Sequence, residues 1–508
     1  MNIFLGIEFG STRIKTVAID QNHNFVCSGD YTWASKYKDG IWTYDLSEAL
    51  EGIKVALNSI SNRNQIKAVG ISGMMHGYLA FDKNWNLLVP FRTWQNTMTA
   101  EASYELTQTF GFNIPQRWSI AHVYQAILNE EEHVSKIAHI TTLAGYIHFL
   151  LTGVNAIGVG EASGMFPIDN NQLCYNEKML QQFEELNASR KLPWKLIDIL
   201  PQILDAGKCA GTLTMDGANL IDNLLPVGVP FAPPEGDAGT GMVATNSVAP
   251  KTGNVSAGTS IFSMIVLEEP LEKVYEEIDI INTPTGKPVA MVHCNNCTND
   301  SNAWFSVLSE TINLFGPQPS ASELYTTLYQ EALKGDVDCG GVLICNYMTG
   351  ECLTHMDTGI PLVVRKPDSN FTLANFMRAT LYSTMATFKL GMDILAQEQV
   401  KIDRLTGHGG LFKTPTVGQS FMAAACNSPI TCMQLASEGG PYGMALLAAY
   451  SINKDENETL EQYLNNRVFC QTSSSIIEPN QSDVDGYDAY IKQYKQLLKV
   501  EQTAIETI

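Results

Sequence analysis

Basic residues are scarce in this chain. It carries 32 Lys and Arg against 53 Asp and Glu, a formal charge of −21 over 508 residues. Nucleic-acid binding needs basic groups to displace counterions from phosphates, and an anionic membrane surface needs a polybasic face. The charge balance argues against both partners. It leaves room for an anionic small molecule, because a local site can oppose the global field. Charged residues of either sign are few, 17% of the chain, while hydrophobic residues make up 45%. That composition is too apolar for a disordered chain, and the length suits roughly two to four packed domains.

Other absences narrow the class further. The opening MNIFLGIEFG has no basic flank, and Glu8 interrupts its apolar run, so no secretory leader is expected. The longest stretch without formal charge, residues 137–160, holds His, Asn, Thr and Gly and reads as buried core rather than as a membrane span. The 11 cysteines are odd in number and irregular in spacing, which suits reduced thiols in a cytoplasm. Cys294 and Cys297 form a CxxC with no second ligand pair at comparable spacing, so no zinc site is expected there. No GxxxxGK[ST] occurs, which disfavours a P-loop NTPase. Gly239 to Ala244 fits a loose GxGxxA, but it follows Pro233-Pro234-Glu235-Gly236-Asp237 rather than an apolar strand. A dinucleotide fingerprint needs that strand, so the match is a decoy and a dehydrogenase is disfavoured.

What the chain does have is a repeated strand grammar. Ile3 to Ile7 and Ile14 to Ile19 are apolar runs joined by Gly10-Ser11-Thr12, which predicts a β-hairpin, and Phe25 to Ser28 predicts a third strand. Leu46, Leu50, Ile53, Leu57 and Ile60 recur at helical spacing, with Asp45 and Glu48 placed as a capping box. Ile66 to Ser72 predicts a buried strand. The pattern returns where Asn254 to Ser256 leads through Gly258-Thr259-Ser260 into Ile261 to Val266. Val342 to Cys345 predicts a strand and Leu373 to Glu398 a long helix. Leu405 to Gly410, Val417 to Cys426, Ile430 to Met433 and Gly443 to Tyr450 follow as loop, helix, strand and helix. Alternating strands and helices predict an α/β fold in two halves. The expected division is 1–247 and 248–508, at the Pro250 interruption. In each hairpin, small residues let successive N–H groups converge on phosphate oxygens, with Ser and Thr hydroxyls as further donors. Two such turns suggest a nucleotide held between two lobes.

At these residues the sequence resembles the FGGY carbohydrate kinase family of the actin-like ATPase superfamily. LGIEFGSTRIKTVAID resembles the first phosphate hairpin of the family, and GNVSAGTSIFSMI the second. ISGMMHGYLAFD resembles the segment that reads Met-His-Gly at the sugar in xylulokinases. RTWQNT, GYIHFLLTG and GEASGMFPID resemble further family segments, and EGDAGTGM resembles the loop with the catalytic aspartate. YMTGECLTHMD and TGHGGLFKTPTVGQSFMAAACNSPI resemble the C-terminal adenine-side motifs. The matches cover most of the chain in the family's order.

The resemblance implies two actin-like (ribonuclease H-like) lobes with a nucleotide and sugar cleft between them. It implies an ATP-dependent sugar kinase using Mg2+, with a ketopentose such as xylulose as acceptor. Asp237 takes the role of catalytic base. Met75, His76, Trp94, Asn96, Glu235 and Asp237 fall on the sugar side. Gly10, Ser11, Thr12 and Lys15, with Gly258, Thr259 and Ser260, fall on the phosphates, and Gly409, Gly410 and Lys413 on the adenosine side. Glu8 and Asp237 fall at the metal. Glu8 stands where the family usually has Asp, and Asn96 and Met98 where many members have Asp and Arg; such polar changes alter which sugar fits. Rival readings are a kinase for another ketose or a polyol, such as ribulose or a deoxy-ketose, and an actin-like ATPase or sugar sensor without kinase activity. The oligomeric state stays open, a homodimer included.

Overall fold

A computed structural model describes residues 2–433 and 439–508. The chain packs as two units. Unit 1 takes residues 1–249, 273–289 and 435–472, and unit 2 takes 250–272, 290–434 and 473–508. The polypeptide therefore passes between the units several times, where the sequence reading drew one division at 247.

Unit 1 is built on five strands. These are β1 (Ile3–Phe9), β2 (Arg13–Asp20), β3 (Phe25–Thr32), β4 (Ile66–Gly73) and the two-residue β5 (Glu235–Gly236). Their order across the sheet is β5-β4-β1-β2-β3. The hairpin pairs are antiparallel, whereas β4 and β5 run parallel to β1. The expected hairpin and third strand are thus present. The strands read as near-continuous apolar runs because helices cover the sheet. Helix α1 (Leu46–Asn58) packs Ala49, Ile53 and Leu57 into the same buried cluster as Ile3, Leu5, Ile7 and Val69. Each of the Ile, Leu and Val side chains contributes about 1.5–3 kcal/mol on burial. Its cap differs from the expected box: the Asp45 carboxylate accepts from the Ser47 N–H at 2.9 Å, and Glu48 instead pairs with Lys36 at 3.4 Å. The shorter Asx turn satisfies the helix end, which frees Glu48 for the neighbouring strand.

Two further short helices of unit 1 matter for the site, α2 (Val159–Ser163) and α3 (Asp237–Ala244). The glycines of the GxGxxA match lie inside α3, in keeping with the decoy reading. The stretch 137–160 folds as a strand, a helix and a strand with a largely buried surface. No described helix is long and apolar enough to cross a membrane.

Unit 2 repeats the grammar. Six consecutive strands of its seven-stranded sheet are β6 (Thr252–Ala257), β7 (Ile261–Val266), β8 (Pro288–Cys294), β9 (Arg404–His408), β10 (Ile430–Met433) and β11 (Ser474–Ile477), ordered β8-β7-β6-β9-β10-β11. In both units the opening hairpin is extended on its far side by a third strand and on its near side by parallel strands. Residues 405–410 correct the sequence reading. Thr406-Gly407-His408 looks like a loop, yet β9 lies between β6 and β10 and pairs in parallel with both. Pairing on two sides overrides the weak strand preference of glycine. Long helix α4 (Leu373–Gln397) is buried along most of its length, and α5 (Val417–Cys426) packs beside it.

A late helix of unit 1, α6 (Gly439–Asn453), comes from far along the chain and lies against β1 and β4. The approach is very close. A Cβ on Gly6 would sit 1.9 Å from the Pro441 carbonyl oxygen, and one on Gly443 would sit 1.9 Å from the Thr240 carbonyl oxygen. The second contact clamps α6 onto α3, the helix that begins with Asp237.

Candidate active site

In an open parallel sheet, ligands gather beyond the carboxyl ends of the strands. Three strand ends of unit 1 converge there. Glu8, Ser72 and Glu235 stand in one row across β1, β4 and β5, and Phe9, Gly73 and Gly236 in the next. One step further, the chain enters Gly10-Ser11-Thr12, Met74-Met75-His76 and Asp237.

Asp237 is the first residue of α3. Its Oδ1 accepts from the Ala238 N–H at 2.9 Å and from the Met75 N–H at 3.4 Å. Its carboxylate is open to water, with protein on the remaining sides. Desolvation by that surround outweighs the two N–H groups and raises its pKa to about 6. Met75 and His76 are buried. His76 adopts φ 70°. Its Nδ1 lies 3.2 Å from the Gly164 carbonyl, which only accepts, so Nδ1 carries the proton and Nε2 presents a lone pair. Burial and the Arg117 charge hold its pKa down at about 3, so the ring stays neutral. A neutral ring accepting at Nε2 suits a hydroxyl donor.

Glu235 is buried behind Asp237. Its Oε2 accepts from the Glu161 N–H at 2.9 Å, at the start of α2. Its carboxylate fills space that only glycine leaves free at 158 and 160, where a Cβ would come within 2.0 Å and 2.5 Å of its oxygens. Desolvation raises it to about 8. Trp94 is exposed, and Asn96 is buried beside it. The Asn96 amide is engaged with the backbone: Nδ2 donates to the Trp42 and Thr93 carbonyls at 2.8 and 3.0 Å, and Oδ1 accepts from the Trp42 N–H at 2.9 Å.

The first turn is fixed through its carbonyls. Trp33 Nε1 donates to Gly10 O at 2.7 Å, Tyr44 Oη to Ser11 O at 2.7 Å, and Trp33 N–H to Thr12 O at 3.2 Å. These bonds consume none of the Ser11 or Thr12 N–H groups, and both residues are exposed. Lys15 stands opposite Glu8 on the neighbouring strand. A Cβ on Gly440 would lie 1.5 Å from Glu8 Oε2, so the Glu8 carboxylate rests on the first turn of α6.

Unit 2 builds its turn in the same manner. The Gly258 carbonyl accepts from Thr298 N–H and Oγ1 at 3.1 and 2.7 Å, and the Thr259 carbonyl from Cys297 N–H at 3.0 Å. The loop after β9 adjoins this turn. Gly409 has φ 99°, and a Cβ there would lie 2.5 Å from the Ala257 carbonyl oxygen, so only glycine fits. Gly410 and Lys413 follow, both exposed. Each unit thus assembles its own set of the expected residues.

Two groups carried no role in the sequence reading. Glu161 is buried, and desolvation pushes its carboxyl far up, with the Glu235 and Asp237 charges adding to the rise. Its signal was its place between small residues in a charge-poor stretch. Arg117, Trp118 and Ser119 grip the His76-Gly77 turn. The Arg117 carbonyl accepts from Gly77 N–H at 2.9 Å, Ser119 Oγ donates to Gly77 O at 2.6 Å, and the Trp118 ring stacks on His76 at 6.2 Å. No motif marks that loop.

Comparison with known proteins agrees with this geometry. Residues 3–244 match the N-terminal domain of the FGGY family of carbohydrate kinases, and residues 253–452 match its C-terminal domain. A xylulose kinase of Haemophilus influenzae is 23% identical over 97% of this chain and 98% of its own. One from Lactococcus lactis is 22% identical over 98% of this chain and 97% of its own. The solved structure of a ligand-bound xylulose kinase from Lactobacillus acidophilus superposes with a TM-score of 0.80 at 16% identity, covering 98% of both chains. With both family domains matched in order, the chain belongs to the FGGY family of carbohydrate kinases and is an ATP-dependent sugar kinase.

Proposed function

We propose that this kinase phosphorylates a ketopentose, D-xylulose first among them, with Asp237 as the base. The observation that carries the proposal is the placement of the Asp237 carboxylate, open to water, on the Met75 N–H next to His76. Oδ1 is held by two N–H groups, which leaves Oδ2 to take the proton. The sugar hydroxyl loses that proton, its oxygen forms the new bond to the γ-phosphorus of ATP, and the bond to the β-phosphate oxygen breaks with its electron pair leaving on ADP. A pKa of about 6 keeps the carboxylate ionised at neutral pH yet basic enough to assist. His76 Nε2 accepts from a second sugar hydroxyl, and exposed Trp94 offers a stacking face.

The N–H groups and hydroxyls of Ser11, Thr12, Thr259 and Ser260, with Lys15, serve the phosphates, and Gly409, Gly410 and Lys413 the adenosine side. Glu8 and Asp237 supply hard carboxylate oxygens at the ends of β1 and β5, with β4 between them, a donor set that fits Mg2+, which takes one or two carboxylates and completes its shell with phosphate and water. Bound there, the ion neutralises charge on the phosphates. Among the described residues no three His, Cys, Asp or Glu side chains gather into a closed metal cage.

The test is ADP release in a panel of D-xylulose, D-ribulose, a 1-deoxy-ketose, aldopentoses and polyols. The highest kcat/KM is expected for D-xylulose. A polyol or an aldose as the best substrate would overturn the assignment.

A further inference from the structure

The loop that grips His76 is itself anchored by a segment from much later in the chain. Arg117 forms an ion pair with Asp279, 162 positions away. Asp279 is buried. Its Oδ1 also accepts from Asn113 Nδ2 at 3.3 Å, and the same Nδ2 donates to the Ile278 carbonyl at 3.0 Å. The carboxylate is therefore held by the Asn113 side-chain amide as well as by Arg117. Both residues lie in unit 1.

This pair sits beside the sugar contact. Arg117 accepts the Gly77 N–H through its carbonyl, and its guanidinium charge is felt at the His76 ring. Its side chain keeps partial solvent exposure, whereas that of Asp279 keeps little. A lone guanidinium beside a polar sugar pocket would draw in carboxylates, which it recognises through paired donors. Asp279 occupies that role from within the protein.

We propose that Asp279 is a positioning residue that determines specificity: by pairing with Arg117 it offsets part of the positive charge next to His76, so that the pocket takes neutral sugars and turns away sugar acids. The proposal rests on the reading of His76 as a sugar contact. Discrimination here comes from an internal counter-ion, with no group that repels the acid by contact.

The experiment compares D-xylulose with D-xylonate in the wild type, Asp279→Asn, Arg117→Gln and the double variant, at low and high salt. Asp279→Asn removes the counter-charge that Asp279 supplies to the guanidinium. It should shift the ratio of kcat/KM values toward D-xylonate by about tenfold at low salt, and less at high salt. Arg117→Gln should shift the ratio the opposite way, because it leaves the carboxylate unbalanced. The double variant, which carries neither charge, should give a ratio between those of the two single variants. A purely structural role for Asp279 would lower both substrates alike and would not be reversed by Arg117→Gln. A ratio within about twofold of wild type in both single variants, or a double variant outside the range of the two singles, overturns the proposal. Should Asp279→Asn fail to fold, Arg117→Gln and the double variant carry the same test. Failure of the His76 reading is seen separately, as a His76→Ala enzyme that keeps the wild-type KM for D-xylulose. The four proteins are then compared by the thermal shift each sugar produces, and the same ordering supports or overturns the charge-offsetting pair.

Discussion

The Glu161 N–H donates to Glu235 Oε2 at 2.9 Å, so one buried acid caps the short helix that carries another. Both carboxyls titrate well above the usual carboxylate range because burial disfavours their charge. For Glu235 the folded value is about 8 against an ordinary 4.5, so the native state holds the proton through that window. The stabilisation is complete below about 4.5 and is lost as pH rises through about 8, with a slope of at most about 1.4 kcal/mol per pH unit. Glu235→Gln keeps an acceptor for the Glu161 N–H and removes the titration. Its melting temperature should fall less steeply than that of the wild type between pH 5 and 8.5. Parallel curves would show that Glu235 titrates as an ordinary glutamate.

Asp237 gives a different pH signature. Its ionised form accepts the proton, so kcat/KM should fall as pH drops through about 6, with unit slope on a logarithmic plot. Asp237→Asn should lower kcat by about 100-fold or more. The same variant should melt no lower than wild type at pH 7, because the native environment disfavours the charge it removes. Near-normal turnover in the variant would dismiss Asp237 as the base.

Gly6→Ala tests the seating of α6. The new methyl meets the Pro441 carbonyl, backbone against backbone, and no side chain can swing aside. A loss of about 1–3 kcal/mol is expected in urea unfolding, as for an overpacked core. An unchanged midpoint would mean that α6 is not held against β1.

Gly409→Ala tests the second turn. The positive φ and the Ala257 carbonyl both oppose a side chain there, so the loop after β9 must move. KM for ATP should rise about tenfold or more, with KM for the sugar little changed. Equal rises in both constants would place the loop's role elsewhere.

Much of this was legible in the sequence. The two hairpins declare themselves by apolar runs around small turns, and α1 by its helical spacing. The roles proposed for Asp237 and His76 rest on family resemblance, since neither spacing nor composition separates a catalytic Asp from a turn Asp. What stayed hidden depends on contacts between distant residues. Strand β9 has no apolar run of its own and becomes a strand by pairing on both sides. Strand β5 is two residues long and exists because Ser72 and Gly73 stand opposite. The Asp279 partner of Arg117 lies in a segment with no motif, and the return of residues 439–472 to unit 1 is decided by glycines at positions 6, 70 and 443 that look ordinary in the sequence.

The close seating of α6 on β1 and β4 also bears on how the protein is made. Until the ribosome has delivered residue 453, the sheet face that receives α6 has no cover, and Gly6 and Gly70 line a bare groove through most of synthesis. A fragment ending near residue 247 would carry the first hairpin, the proposed sugar contacts and Asp237, yet lack the helix that completes their sheet. Such a fragment would be expected to seek substitute partners and precipitate, so this enzyme should become active only once nearly the whole message has been translated.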